Sequence, residues 1–381
     1  MKLLIVGDFC DCGRVGELIY SGDYSALFGG VKSIIDGADV SVVNFEFPVV
    51  LDSSRTNPIQ KCGPSLKGQK KAVDAIKYAG FNVCTLANNH ILDQGKNCCL
   101  DTKYTIEENG IKTVGVGDNL SEASETIFIR QGEETLAIIN CCEHEYSIAT
   151  ETTAGANPLN PIQQYYKIQE ARDVANYVLV IVHGGHEHYN LPSPRMQELY
   201  RFFIDSGADA VVNHHQHCYS GYEIYKEKPI FYGVGNFCFD RLNDGLPTSW
   251  HEGYMVELSF GGNDGVKFRL IPYNQCKKEA TVVLMKDKER DAFFESIRQL
   301  NTVISDTSEL KRKHEEWMDS NGSGFEHQFL PYSNRWLISA YIRHLFPSFL
   351  SKRKLLKLQN HLECESHNER SLYALNKLIN K

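Results

Sequence analysis

No stretch of this chain approaches the roughly 18 consecutive apolar residues that a helix needs to cross a bilayer. The opening Met1-Lys2-Leu3-Leu4-Ile5-Val6 meets a polar stop at Gly7-Asp8, too early for the apolar region of a signal peptide. Positive charge is not in excess either. A formal net charge of −8 over 381 residues leaves no broad footprint for nucleic acid. Internal repeats and low-complexity tracts are missing, which sets aside solenoid and fibrous architectures. The expectation is a soluble, cytoplasmic protein with a well-buried core, since 42% of its residues are hydrophobic.

Cysteine is plentiful at twelve, yet a disulfide framework is not expected in a long chain without an export signal. Cys84, Cys141, Cys142 and Cys238 lie in apolar, strand-like runs, where a thiol packs as a small hydrophobe. Cys10-Asp11-Cys12 and Cys98-Cys99 have no partner pair at zinc-site spacing.

What the chain does have is a set of apolar, strand-like runs that end in polar residues suited to metals. Leu3–Val6 leads to Asp8, and Val40–Val43 leads to Asn44-Phe45-Glu46. Val83–Leu86 leads to Asn88-Asn89-His90 and Asp93. Val178–Val182 leads to His183-Gly184-Gly185-His186-Glu187, and Ala210–Val212 leads to His214-His215-Gln216-His217. In an open α/β sheet the carboxyl ends of strands share one rim, where ligands bind. Asp, Glu, Asn and His gathered there make a one- or two-metal hydrolytic centre.

Each part has a plainer reading. His215 and His217 alone would be a polar turn; at a strand end, alternation aims both imidazoles one way and leaves His214 facing elsewhere. His183, ending the most apolar strand, fits a satisfied core residue as well as a ligand. Glu187 is placed to orient it or to touch substrate, and His186 and His188 read as solvated. Asn88-Asn89-His90 could simply cap the next helix. In this company His90 reads as a general acid with Asp93 holding its tautomer. Asp8 and Glu46 supply negative charge, and a carboxylate can bridge two cations.

Residues 1–275 alternate strand and helix patterns, with helices expected over 96–109 and 194–206. Thr126–Arg130 pairs with Thr135–Asn140, and Met255–Phe260 with Val266–Ile271 across the turn signal Gly261–Gly265. The polar, aperiodic segment 143–166 reads as a long loop over the rim, shaping the pocket together with 241–252. From 280 to 381 the chain reads as a helical extension, charged over 287–319 and interrupted by Ser320-Asn321-Gly322-Ser323-Gly324. Between Tyr332 and Leu362 it carries Arg335, Arg343, Lys352, Arg353, Lys354 and Lys357 and no acid. Leu337, Ile338, Tyr341, Ile342, Leu345 and Phe346 fall at helical spacing there. Such a stripe is usually buried at home; the alternative is peripheral contact with an anionic membrane at the inner face.

Taken together, Gly7-Asp8, Ala38–Glu46, Gly80-Phe81, Ala87–Gly95, Gly115–Asn119, Val182–Glu187, Gly207–His217 and Ile230–Asp240 resemble the bacterial capsule synthesis protein family of CapA type. That is the poly-γ-glutamate capsule family, within the calcineurin-like metallophosphoesterase superfamily. The resemblance runs from residue 1 to about residue 273. It implies an α/β fold of four layers, an α/β/β/α sandwich of the metallophosphoesterase type, followed by the helical extension. It further implies Asp8, Glu46, Asn89, His183, His215 and His217 as ligands of one or two divalent ions, manganese, iron or zinc, and His90 as acid or transition-state stabiliser. Where the superfamily places a His ligand two residues after the first Asp, this chain has Cys10, as many CapA-type members lack that His. Asn213 and Gln216 stand where members often have Gly and Pro. Many members carry an N-terminal anchor, and none is expected here.

The activity implied is metal-dependent hydrolysis of a phosphoester or an amide in capsule polysaccharide or poly-γ-glutamate production. The alternatives are a peptide epimerase and a non-catalytic assembly factor of a membrane-bound capsule synthase.

Overall fold

The computed structural model describes residues 1–61, 63–241, 247–261, 266–326, 334–345, 351–363, 375 and 378–379. The turn residues 262–265, residues 242–246 of the 241–252 loop, and Tyr332 and Phe346 of the basic tail lie outside the described residues. The chain divides into two compact units, Met1–Arg312 and Lys313–Lys381.

The first unit is a four-layer sandwich. An eight-stranded sheet runs in the order Val282–Leu284, Lys267–Gln275, Glu252–Ser259, Lys2–Cys10, Val40–Phe45, Val83–Thr85 and Lys112–Val114, with Asn236–Phe239 also pairing to Lys2–Cys10. A six-stranded sheet runs Tyr222–Tyr225, Lys228–Phe231, Ala210–His214, Tyr177–His183, Glu134–Cys142 and Ile127–Gln131. Strands 2–10, 40–45, 83–85 and 112–114 are mutually parallel, as are 134–142, 177–183 and 210–214. Their carboxyl ends therefore share a rim.

Alternation along the strands builds the layers. Leu3, Ile5, Val40 and Val42 face Leu136, Ile138, Leu179, Ile181 and Val212 of the other sheet across an apolar seam. Leu4, Val6, Val43 and Cys84 point the other way, onto Val15 and Ile19 of helix Gly13–Ser21 and Val73 and Ile76 of helix Lys71–Ala79. Helices Pro161–Arg172 and Pro194–Asp205 cover the outside of the second sheet. Helix Asp287–Ser305 belongs to the same body, with Phe293 and Ile297 joining the seam beside Tyr219 and Tyr254. The ten described cysteines are all free thiols, and nine of them are buried.

Two local expectations are corrected. Segment 143–166 is not loop throughout, because helix Pro161–Arg172 begins inside it. The Asn160 side chain accepts from the backbone N–H groups of Ile162 and Gln163, and Pro161 opens the first turn. The remainder, 143–160, is tied down by a small antiparallel pair, Val116–Gly117 with Gly155–Ala156. The Ser320–Gly324 sequence does not interrupt the helix, which runs Thr307–Glu326. The break falls at Asp306 instead, whose carboxylate accepts from the N–H groups of Ser308 and Glu309. Among the described residues, no helix is long and apolar enough to cross a membrane.

Candidate metal centre

Asp8 lies near the end of the first strand, after a break in register between Ile5 and Asp8, and is the register partner of both Asn44 and Asn236. Its Oδ1 accepts from Asn44 Nδ2 at 2.7 Å, and its Oδ2 lies 3.3 Å from the backbone N–H of His215. Glu46 follows the second strand, its own N–H donating to the Phe9 carbonyl at 3.0 Å. Both Glu46 carboxylate oxygens are buried and, among the described residues, have no hydrogen-bond partner.

From the second sheet come the imidazoles. His183 and His214 are register partners at the ends of adjacent parallel strands. His183 Nε2 lies 3.7 Å from Glu46 Oε1, 3.1 Å from His215 Nδ1 and 3.1 Å from Asn89 Oδ1. Asn44 Nδ2 sits 3.2 Å from His183 Nδ1. His217 Nε2 lies 3.8 Å from Glu46 Oε1, while its Nδ1 donates to Asn236 Oδ1 at 2.9 Å and is 3.7 Å from Asp8 Oδ2. That bond keeps the Nδ1 proton in place and turns the Nε2 lone pair toward Glu46.

The route by which His215 and His217 converge differs from strand alternation. The strand stops at His214, and both residues adopt left-handed backbone, φ 89° and 54°. Non-glycine residues hold that conformation only where surrounding structure imposes it, often at functional sites. His214 points away from the pocket, donating from Nε2 to the Val6 carbonyl at 3.0 Å and so tying one sheet to the other. His188 is also left-handed, with φ 62°, and its ring leans beside Trp250 and His217 at centroid distances of 5.8 and 6.3 Å. Glu187 is exposed.

Two donor groups emerge, Glu46 with His183 and His215, and Asp8 with Glu46 and His217, the atoms of each within 4.8 Å of one another. Glu46 belongs to both. Electrostatics points the same way. Burial, reinforced by Asp8, drives the Glu46 carboxyl well above the usual carboxylate range. Burial, then the neighbouring His215 and His214, pushes His183 well below the usual imidazole range, and burial takes His217 down to about 4. The His183 and His217 imidazoles, held neutral by burial beside the buried Glu46 carboxyl, belong to a donor set that suits a cation. Cys10, near the Asp8 side, is held as a thiol by burial and by Cys12.

Beside this pocket, His90 Nδ1 donates to Asp93 Oδ2 at 2.6 Å. Asp93 is fully buried and also accepts from Leu66 N–H and from Lys61 Nζ, each at 2.6 Å. Lys61, with a side chain only 4% exposed, was not legible in the sequence, nor were Glu145 and Ser147, which contact Asn89. All three reach the site from loops without regular pattern. The Asn236 in Gly235-Asn236-Phe237 was part of a recognisable block, but its contact with His217 needed the fold.

A family model described as bacterial capsule synthesis protein PGA_cap matches residues 2–241. The capsule biosynthesis protein CapA of Bacillus anthracis is 32% identical over 263 residues, covering 66% of this chain and 64% of that protein. The PGA biosynthesis protein CapA of Bacillus subtilis is 30% identical over 253 residues, covering 65% of this chain and 66% of that protein. The match thus spans just under two thirds of the length of these relatives. Among solved structures, a phosphatase from Mycoplasma pneumoniae aligns with 77% of this chain and 98% of its own, at 14% identity and a TM-score of 0.40.

Proposed function

The chain belongs to the bacterial capsule synthesis protein family, and from that premise we propose that it is a metal-dependent hydrolase-like enzyme of capsule polysaccharide or poly-γ-glutamate biosynthesis, cleaving a phosphoester or an amide bond. The observation that carries the reading is Glu46, a fully buried carboxylate with both oxygens unpartnered, shared by two groups of donors. Asn89, His183, His215 and Glu46 would hold one cation, and Asp8, Glu46 and His217 a second. Divalent ions there, with manganese, iron and zinc all suiting these donors, would act as Lewis acids toward a phosphoryl or carbonyl group.

The protein's own groups supply the rest. His90, fixed through Nδ1, keeps Nε2 available for a proton at the leaving oxygen. Lys61 offsets the Asp93 charge, so that a buried carboxylate can orient the imidazole without standing unpaired. Elemental analysis of protein purified without added metal, with turnover of a generic phosphodiester measured before and after chelation, tests the reading. Bound divalent metal and chelator-sensitive turnover are expected, both lost in Glu46→Gln. Metal without turnover of phosphodiester or amide substrates would favour an assembly factor, and protein that never binds metal would remove the proposal.

A further inference from the structure

The segment Glu143–Ser147, at the start of the loop over the rim, grips the two ligand-bearing turns from one side. The Glu143 backbone N–H donates to the His183 carbonyl at 3.0 Å, and its Oε2 accepts from the Gly185 N–H at 3.1 Å. Arg195 pairs with the other oxygen of Glu143. On the far side, Ser147 Oγ donates to the Asn89 carbonyl at 2.8 Å, and Glu145 Oε2 accepts from Asn89 Nδ2 at 2.9 Å.

The last contact has a chemical consequence. An asparagine amide is nearly symmetric in shape, yet one end accepts and donates nothing, while the other carries two N–H groups that repel a cation. A carboxylate can only accept, so Glu145 can pair only with the Nδ2 end. Oδ1 is then left facing His183 Nε2, 3.1 Å away. We infer that Glu145 is a positioning residue that selects which end of the Asn89 amide faces the metal pocket. The inference rests on the metal-centre reading, and the same loop thereby couples the Asn89 and His183 turns.

Titration of the full-length protein with Mn²⁺, by calorimetry against a competing chelator, tests it with Glu145→Gln, Glu145→Ala and Glu145→Lys. A glutamine still offers Oε1 to Asn89 Nδ2, so Glu145→Gln should bind within about threefold of wild type. Glu145→Ala should lose the roughly 10–100-fold in affinity typical of removing an outer partner of a metal ligand. Glu145→Lys presents donors only and should lose at least as much, by turning the amide around. Melting temperatures of the metal-free proteins would check that each variant folds. If Glu145→Gln falls as far as Glu145→Ala, the residue acts by charge alone and the inference is wrong. Wild-type affinity in Glu145→Lys, or in Glu145→Ala if the lysine variant does not fold, would also overturn it. Wild-type protein that binds no Mn²⁺ would instead sink the metal centre itself.

Discussion

His90 is anchored at one ring nitrogen and, among the described residues, unpartnered at the other. Its replacement by Ala removes a proton donor or acceptor without touching Asp8, Glu46 or the three histidines of the pocket. His90→Ala should therefore keep wild-type metal content while turnover drops by the roughly 10²–10⁴-fold usual for general acid–base groups. Equal loss of bound metal would make His90 a ligand. A second residue-scale prediction concerns stability. Burial pushes the Asp11 carboxyl up to about 6, against backbone hydrogen bonds from the Gln69 N–H and its own N–H. A carboxyl raised in the folded state binds its proton more tightly there than in the unfolded chain. Its contribution is full below about pH 4 and is lost as pH rises through 6. Asp11→Asn removes that loss, so urea midpoints at pH 7.5 should show the variant more stable by at most about 3 kcal/mol. At pH 4 the two proteins should nearly coincide; an equal gap at both values would exclude the titration.

At the scale of elements, Gly7 carries the tightest requirement. A Cβ there would fall 1.7 Å from the Gly235 carbonyl oxygen, at the bend that turns Asp8 into the pocket and brings Asn236 alongside. Gly7→Ala must push the two segments apart. The expected result is a loss of about 1–3 kcal/mol or more, read from denaturant midpoints, with weaker metal binding; unchanged stability would deny the close approach. The strands themselves were legible because each apolar run stops at a ligand-type residue, a change of polarity inside buried chain, since Asp8, Glu46, His183 and His215 are as buried as the runs before them. Helix 161–172 was not legible, since it buries little beyond Gln164, Ile168 and Ala171 and shows no clear apolar stripe. The Asn160-Pro161 start signal was its one trace. The left-handed turns at His215 and His217 leave no mark in residue type, because neither is glycine. They are imposed by contacts such as Gln216 Nε2 donating to the Tyr189 carbonyl at 2.9 Å, which only the folded chain assembles.

For the whole molecule, the second unit holds helices Arg335–Ile342 and Lys352–Glu363, separated by residues outside the described set. Their basic charge and apolar spacing lead us to propose peripheral contact with an anionic membrane, beside a membrane-bound capsule synthase as partner. The full chain should sediment with anionic vesicles at low salt and release at high salt, while a chain ending near Pro331 stays in solution. No lipid-dependent pelleting at low salt would dismiss the contact.

The pocket's donors are drawn from two sheets. Asp8, Glu46 and Asn89 come from strands of one or the turns after them, while His183, His215 and His217 come likewise from the other. Between the sheets the seam is apolar, and apolar packing has no preferred direction along the interface. It holds two plates together without saying how far one has slid along the other. His214 on the Val6 carbonyl is one pin against sliding, and cations seated among donors from both plates would be rivets. The same donors proposed to serve chemistry at the rim would then set the alignment of the two halves. A variant that shifts one plate by a fraction of a residue would lose its function well before it lost its fold.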